Sequence, residues 1–188
     1  MDIILASTSP YRRALLERLQ LEFRCVPPAT DETPLDGERP EDLATRLAMA
    51  KANAVSAAQP GALVIGSDQV AACDGRMLGK PGEHGAARRQ LQACSGRDVT
   101  FYTAVALVGR GHPGRTHMEP TTVRFHTLTD TCIEQYLQRE QPYDCAGSFK
   151  VERLGIALFE RIDSADPTAL EGLPLIALCR LLGDAGVT

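Results

Sequence analysis

Residues 62–65, Ala-Leu-Val-Ile, form an unbroken apolar run that opens directly into Gly66-Ser67-Asp68-Gln69. A run without polar alternation predicts a strand covered on both faces, as in a sheet flanked by helices. Asp68 then sits at the mouth of that strand. A carboxylate delivered there by apolar sequence is uncompensated unless a cation or metal meets it, which makes Asp68 the first candidate functional residue.

The rest of the chain supplies partners for such a strand. Ile3–Ala6 reads as a short strand, and Pro10–Leu19 as a helix with Ala14, Leu15, Leu16 and Leu19 at helical spacing. Leu21–Val26 alternates like a strand and stops at Pro27-Pro28, 29–39 is an acidic loop, and Pro40–Ala58 is a long helix. A hairpin is predicted over Val70–Gly79 with its turn at Cys73-Asp74-Gly75, then a helix from Glu83 to Ala93. Val99–Val108 and a return to Phe125 form two strands, Thr129 caps a helix to Glu140, Ile156–Ile162 is a late strand, and Leu173–Leu182 a terminal helix. Strand-helix units mixed with an antiparallel hairpin predict α/β or α+β architecture on a twisted mixed sheet. No linker separates independent domains; two lobes with a cleft where polar strand ends meet fit this order.

The charge balance narrows the partners. With 24 acidic and 20 basic residues the net charge is -4, so no global positive field draws the chain to nucleic acid or anionic lipid, and phosphate binding must be local. The six cysteines, at 25, 73, 94, 132, 145 and 179, form no CxxC pair, which argues against a zinc site and for reduced thiols. Four apolar residues precede Ser7, too few for a signal-peptide core, and no run approaches the ~18 apolar residues of a membrane span, so a cytoplasmic location without a membrane partner is expected.

The stretch Ile4–Arg13, ILASTSPYRR, has two readings. In one, Ser9 caps a helix, Pro10 occupies its first turn, and Arg12 and Arg13 are surface residues. In the other, Ser7, Thr8, Ser9, the free N–H groups of the helix start and both guanidiniums converge on an anion. Asp31-Glu32 in the acidic loop, Asp68, Lys51 and Lys80 favour the second, because two separated acids beside an anion cradle suit a hard cation held with substrate phosphates. The stretch 145–152, CAGSFKVE, reads by itself as a surface turn, and the histidines at 84, 112, 117 and 126 show no ligand spacing.

Taken together, LASTSPYRR, DET, RLAMAKA, GSDQV, GKP, FYTAVAL, CAGSFKVE and GLPL resemble the Maf family of nucleotide pyrophosphatases, in order and over nearly the whole chain. The resemblance implies one two-lobed mixed α/β domain over 1–188 with a central cleft, similar to inosine-triphosphate pyrophosphatases. It also implies hydrolysis of a nucleoside triphosphate to the monophosphate and diphosphate, a divalent cation (Mg2+ or Mn2+), commonly a homodimer, and a role in keeping modified nucleotides out of nucleic acids. By the same resemblance Asp68 is the general base, Glu32 holds the metal with Asp68, Ser9 and Arg12 with Ser7 and Arg13 bind phosphate, and Lys51 and Lys80 are the family lysines.

Three positions depart from the thymidine and uridine triphosphate subgroup, namely Tyr11, Gln69 and Glu152. The trio looks like the subgroup acting on 7-methyl-GTP, which often carries Trp where this chain has Tyr11. N7-methylation makes guanine cationic, so Tyr11 offers an aromatic face, Glu152 accepts from N1 and N2, and Gln69 completes the polar contacts; an unmethylated competitor loses on the order of 1 to 2 kcal/mol, or roughly ten-fold. The rival expectations are a dTTP/UTP pyrophosphatase of the same family and a nucleotide-binding regulator of division-septum formation. A nucleic-acid-binding module is disfavoured by the negative charge.

Overall fold

A computed structural model describes residues 2–109 and 111–187. The strands are β1 (Ile3–Leu5), β2 (Arg24–Cys25), β3 (Leu63–Cys73), β4 (Arg76–Leu78), β5 (Asp98–Gly109), β6 (His112–Phe125) and β7 (Phe159–Asp163). The helices are α1 (Pro10–Glu17), α2 (Pro40–Ala58), α3 (His84–Cys94), α4 (Asp130–Glu140) and α5 (Leu175–Asp184). Strands pair in the order β2-β1-β3-β5-β6-β7, with β4 on β3. Pairing is parallel for β1 with β2 and β3, and antiparallel for β3 with β4 and β6 with β7, so the sheet is mixed.

The chain divides into two compact units. The first comprises the residues up to Gln69, Tyr102–Glu119 and those from Asp166 onward. Its β3 is buried from Leu63 to Asp68, and its side chains alternate between two helical layers. Leu63 and Ile65 join Leu15 and Leu16 of α1 and Leu178 and Leu182 of α5 in one apolar cluster. On the opposite face α2 lies so close that a Cβ on Gly66 would meet the Ala48 carbonyl oxygen at 2.2 Å and the Ala52 nitrogen at 2.8 Å. Glycine at 66 is therefore what allows α2 to seat against the strand.

The second unit comprises Val70–Phe101 and Pro120–Ala165. Its core carries edge-to-face phenylalanine pairs: Phe149 stands 5.1 Å from Phe101 and 4.7 Å from Phe159 between ring centroids, and Phe125 is 4.9 Å from Phe159. The β3–β4 hairpin turns through Asp74 and Gly75, both at positive φ, as a two-residue primed turn requires.

Several expectations shift. The strand begun at residue 63 does not end before Gly66 but continues to Cys73, so Asp68 lies within β3, not at its mouth. The predicted strand over 21–26 shrinks to Arg24–Cys25, with Leu21 and Phe23 only packed against the core. The late strand starts at Phe159, since Leu154–Leu158 forms 3-10 turns. The stretch 145–152 is no surface turn: Gly147, Ser148 and Phe149 are buried. Thr129 does cap α4, accepting from the Cys132 N–H at 3.2 Å, and all six cysteines are free thiols. Burial pushes the Cys94 thiol up to about 12, which leaves it protonated and inert. Among the described residues no helix is long and apolar enough to cross a membrane.

Candidate active site

Period-2 alternation along β3 determines what Asp68 meets. Val64, Gly66 and Asp68 share the face covered by α2, where Lys51 is placed one turn after the Ala48 that seats on Gly66. The Lys51 ammonium lies 2.6 Å from Asp68 Oδ1 and 2.6 Å from Glu32 Oε1. Lys51 and Asp68 side chains are only 7% and 10% exposed, whereas Glu32 is 59% exposed. A buried ammonium between two carboxylates is compensated, and it gathers residues from α2, β3 and the acidic loop at one point.

The acidic loop is itself anchored. Arg46 of α2 donates to both Glu38 oxygens, at 2.6 and 2.8 Å, and to the Thr33 carbonyl at 3.1 Å. Asp31 accepts from the Thr33 N–H at 2.9 Å. Glu32 thus stands between two clamped neighbours. Arg46 lowers the Glu38 carboxyl to about 2.

At the opening segment the cap reading holds. Ser9 is the N-cap of α1 and accepts from the Arg12 N–H at 3.4 Å, while Ser7 Oγ accepts from the Ser9 N–H at 3.1 Å. Arg12 is half-buried and donates through Nε to the Gly172 carbonyl at 3.0 Å. Burial pulls its guanidinium below the ordinary value, and the charges of Asp68 and Glu32 pull it back. Arg12 therefore belongs to the same electrostatic cluster as the two acids. Arg13 points elsewhere, donating to exposed Glu17 at 3.0 Å. Tyr11 is half-buried in the first turn of α1.

On the other face of β3, Ser67 Oγ donates to the Gly172 carbonyl at 3.0 Å. The Gln69 Nε2 lies 2.9 Å from Thr103 Oγ1, 3.1 Å from the Ala169 carbonyl and 3.1 Å from the Leu170 carbonyl. Asp68 and Gln69, adjacent in sequence, thus serve opposite sides of the sheet.

Lys80 and Glu152 are both exposed and belong to the second unit. Within that unit Gln90 links their segments, donating to the Gly79 carbonyl at 2.9 Å and accepting from Ser148 Oγ at 2.5 Å. Ser148 holds φ at +63°, a left-handed conformation unusual for serine, directly after Gly147 at +77°. Gln90, Thr103, Asp166 and Arg46 were not singled out by sequence reading. Each is an ordinary polar residue on a regular element or loop, and only its partner distinguishes it.

Glu32 and Asp68 offer hard oxygen donors, the type magnesium or manganese takes alongside substrate phosphates. Among the described residues no group of three or more His, Cys, Asp and Glu side chains is arranged to hold a metal, so such a cation needs ligand oxygens from elsewhere.

Comparison with known proteins places this geometry in context. The family model described as Maf-like protein matches residues 2–185. A 7-methyl-GTP pyrophosphatase of Xanthomonas oryzae pv. oryzae is 58% identical over 98% of this chain and 96% of its own length. A protein of the same name from Bordetella pertussis is 55% identical over 98% of this chain and 92% of its own. Among solved structures, the Ham1 protein of Staphylococcus aureus superposes with a TM-score of 0.49 at 16% identity, covering 68% of this chain and 73% of that one.

Proposed function

The chain belongs to the Maf family, and on that premise we propose that it is a nucleoside triphosphate pyrophosphatase converting 7-methyl-GTP to 7-methyl-GMP and diphosphate. The observation that carries this reading is the convergence of Glu32 and Asp68 on the Lys51 ammonium, each at 2.6 Å, with Arg12 in the same electrostatic cluster. The substrate follows from the activity for which the 55% and 58% identical relatives are named.

In this reading water attacks the α-phosphorus. Asp68, oriented by Lys51, takes a proton from the water as its oxygen bonds to phosphorus, and the bond to the bridging oxygen breaks to release diphosphate. Arg12 and Lys51 offset the charge that develops on the phosphate oxygens, with Ser7, Ser9 and Lys80 as further phosphate ligands, while Arg13 stays on its pair with Glu17. A divalent cation, Mg2+ or Mn2+, held by Glu32 and Asp68 would supply Lewis-acid polarisation of the phosphate. Tyr11, Gln69 and Glu152 select the base. Both units act as one functional domain, in a cytoplasmic homodimer without nucleic-acid or membrane partners.

Product identification with 7-methyl-GTP, GTP, UTP and dTTP, with and without each metal, tests the reading. Release of diphosphate, fastest from 7-methyl-GTP, is expected. Faster turnover of UTP or dTTP overturns the substrate assignment, and tight binding without diphosphate release points instead to a regulator.

A further inference from the structure

The 166–173 segment has an internal order that neither the proton transfer nor the phosphate contacts require. Pro174 occupies the N-cap position of α5 and has no side chain able to cap it. The cap comes from upstream: Asp166 Oδ2 accepts from the Ile176 N–H at 2.7 Å, and Thr168 Oγ1 accepts from the Leu175 N–H at 2.9 Å. Asp166 Oδ1 in turn accepts from the Thr168 N–H at 3.0 Å. Asp166 is only 2% exposed, so the turn is tied internally and anchored to a helix.

This rigid turn points three carbonyls at residues of the proposed site. The Gly172 carbonyl takes both Arg12 Nε–H and Ser67 Oγ–H, which fills its two lone pairs. Gly172 stands at φ +117°, so this direction of its peptide depends on glycine. The Ala169 and Leu170 carbonyls, with Thr103 Oγ1, surround the Gln69 amide. Thr103 is fully buried and donates its own hydrogen to the Ala169 carbonyl at 2.9 Å, so toward Gln69 it can only accept. Three acceptors can face only the NH2 end of an amide. The Gln69 carbonyl oxygen must diverge from the turn, and the half-buried side chain keeps it accessible.

We infer that Thr103 and the 166–173 turn are positioning elements of the nucleotide site, which hold Gln69 as a hydrogen-bond acceptor and the Arg12 guanidinium in a set direction. The inference rests on the reading of Gln69 as a base contact and Arg12 as a phosphate ligand. It adds the polarity of the base contact: Gln69 Oε1 accepts from a ring N–H or amino group and does not donate to the base. Guanine and 7-methylguanine, with adjacent N1–H and N2–H donors, satisfy that polarity better than uracil, whose single N3–H is flanked by acceptors.

The experiment compares kcat and KM for 7-methyl-GTP and UTP in Thr103→Val, Thr103→Ser, Gln69→Ala, Gln69→Glu and Gly172→Ala, with the melting temperature of each. Thr103→Val keeps the shape and removes the hydroxyl, and should cut the preference for 7-methyl-GTP roughly five- to ten-fold. Thr103→Ser should restore it. Gln69→Glu, which sets a carboxylate against carbonyls, should cut the preference at least as far as Gln69→Ala. Gly172→Ala should raise KM for both nucleotides by a similar factor, because the phosphate is common to them. If Gln69→Ala loses the preference while Thr103→Val keeps it, the positioning role is overturned and the base contact stands. If Gln69→Ala itself leaves the preference unchanged, the base contact fails and the inference with it. A lower melting temperature and equal losses on both nucleotides in Thr103→Val would mark Thr103 as merely structural and overturn the inference.

Discussion

Lys51 Nζ lies 2.6 Å from Asp68 Oδ1 across a helix-strand contact so tight that Gly66, two residues before the aspartate, admits no Cβ. The ion pair and the packing are one device: α2 can present Lys51 to Asp68 only because Ala48 and Ala52 seat on Gly66.

Removing one partner of this buried pair should be costly. Lys51→Met strands a buried carboxylate, and the expected loss in urea denaturation is about 3–5 kcal/mol. Adding Asp68→Leu should return most of that stability while the double variant stays inactive. Equal stability of Lys51→Met and the unaltered protein would refute a structural contribution from the pair.

Asp68→Asn preserves shape and leaves an acceptor for Lys51, so it should remain folded. Its kcat should fall by roughly 10²–10⁴ if Asp68 is the general base. Unchanged kcat in a folded variant removes Asp68 from that role.

Gly66→Ala tests the seat. Its Cβ would meet backbone at 2.2 Å, and backbone cannot rotate away, so α2 must lift from β3. A loss of about 1–3 kcal/mol or more is expected, together with a fall in kcat as the Lys51–Asp68 distance opens. A thermal melt and a turnover assay on the same sample check both.

The Glu38–Arg46 pair carries a pH signature. The Glu38 carboxyl titrates at about 2 in the fold against 4.5 when free. Because the folded value is the lower, the pair's stabilisation is complete above pH 4.5 and is lost as the pH falls toward about 2. Arg46→Met should therefore be less stable than the parent at pH 7, with the gap narrowing as the pH falls toward about 2 and only the bond to the Thr33 carbonyl is left, and with faster amide exchange over 31–38. Superimposable stability curves at every pH would count against the clamp. The same variant should need more magnesium for half-maximal rate, since Glu32 sits in the loosened loop.

In the second unit, Gln90→Leu removes the link between the Gly79 carbonyl and Ser148 Oγ. The expected result is a several-fold rise in KM for triphosphate with kcat little changed, as the Lys80 segment loses its anchor. Kinetics indistinguishable from the parent would show that this link does not order Lys80.

The course of the chain was legible from local pattern. The apolar run at 62–65, the hairpin turn at Cys73-Asp74-Gly75, the Thr129 cap and the Pro40–Ala58 helix depend on backbone preferences and side-chain period, which neighbouring residues encode. Asp68 could be named for a similar reason, since an isolated carboxylate in apolar sequence signals itself, whereas Glu32 and Lys51 drew their roles from the family resemblance. Their grouping could not be read in this way. Lys51 faces Asp68, Arg12 turns inward to Gly172 while Arg13 turns outward to Glu17, and Gln69 shows its nitrogen to the 169–170 carbonyls. Those choices join residues up to 160 positions apart, and they follow from which face of β3 each side chain occupies and which hydrogen-bonding groups packing delivers there. Sequence by itself determined the elements and offered the candidate residues; the tertiary structure decided their partners, because a buried polar group must be matched by whatever distant backbone or charge the fold brings within 3 Å or so.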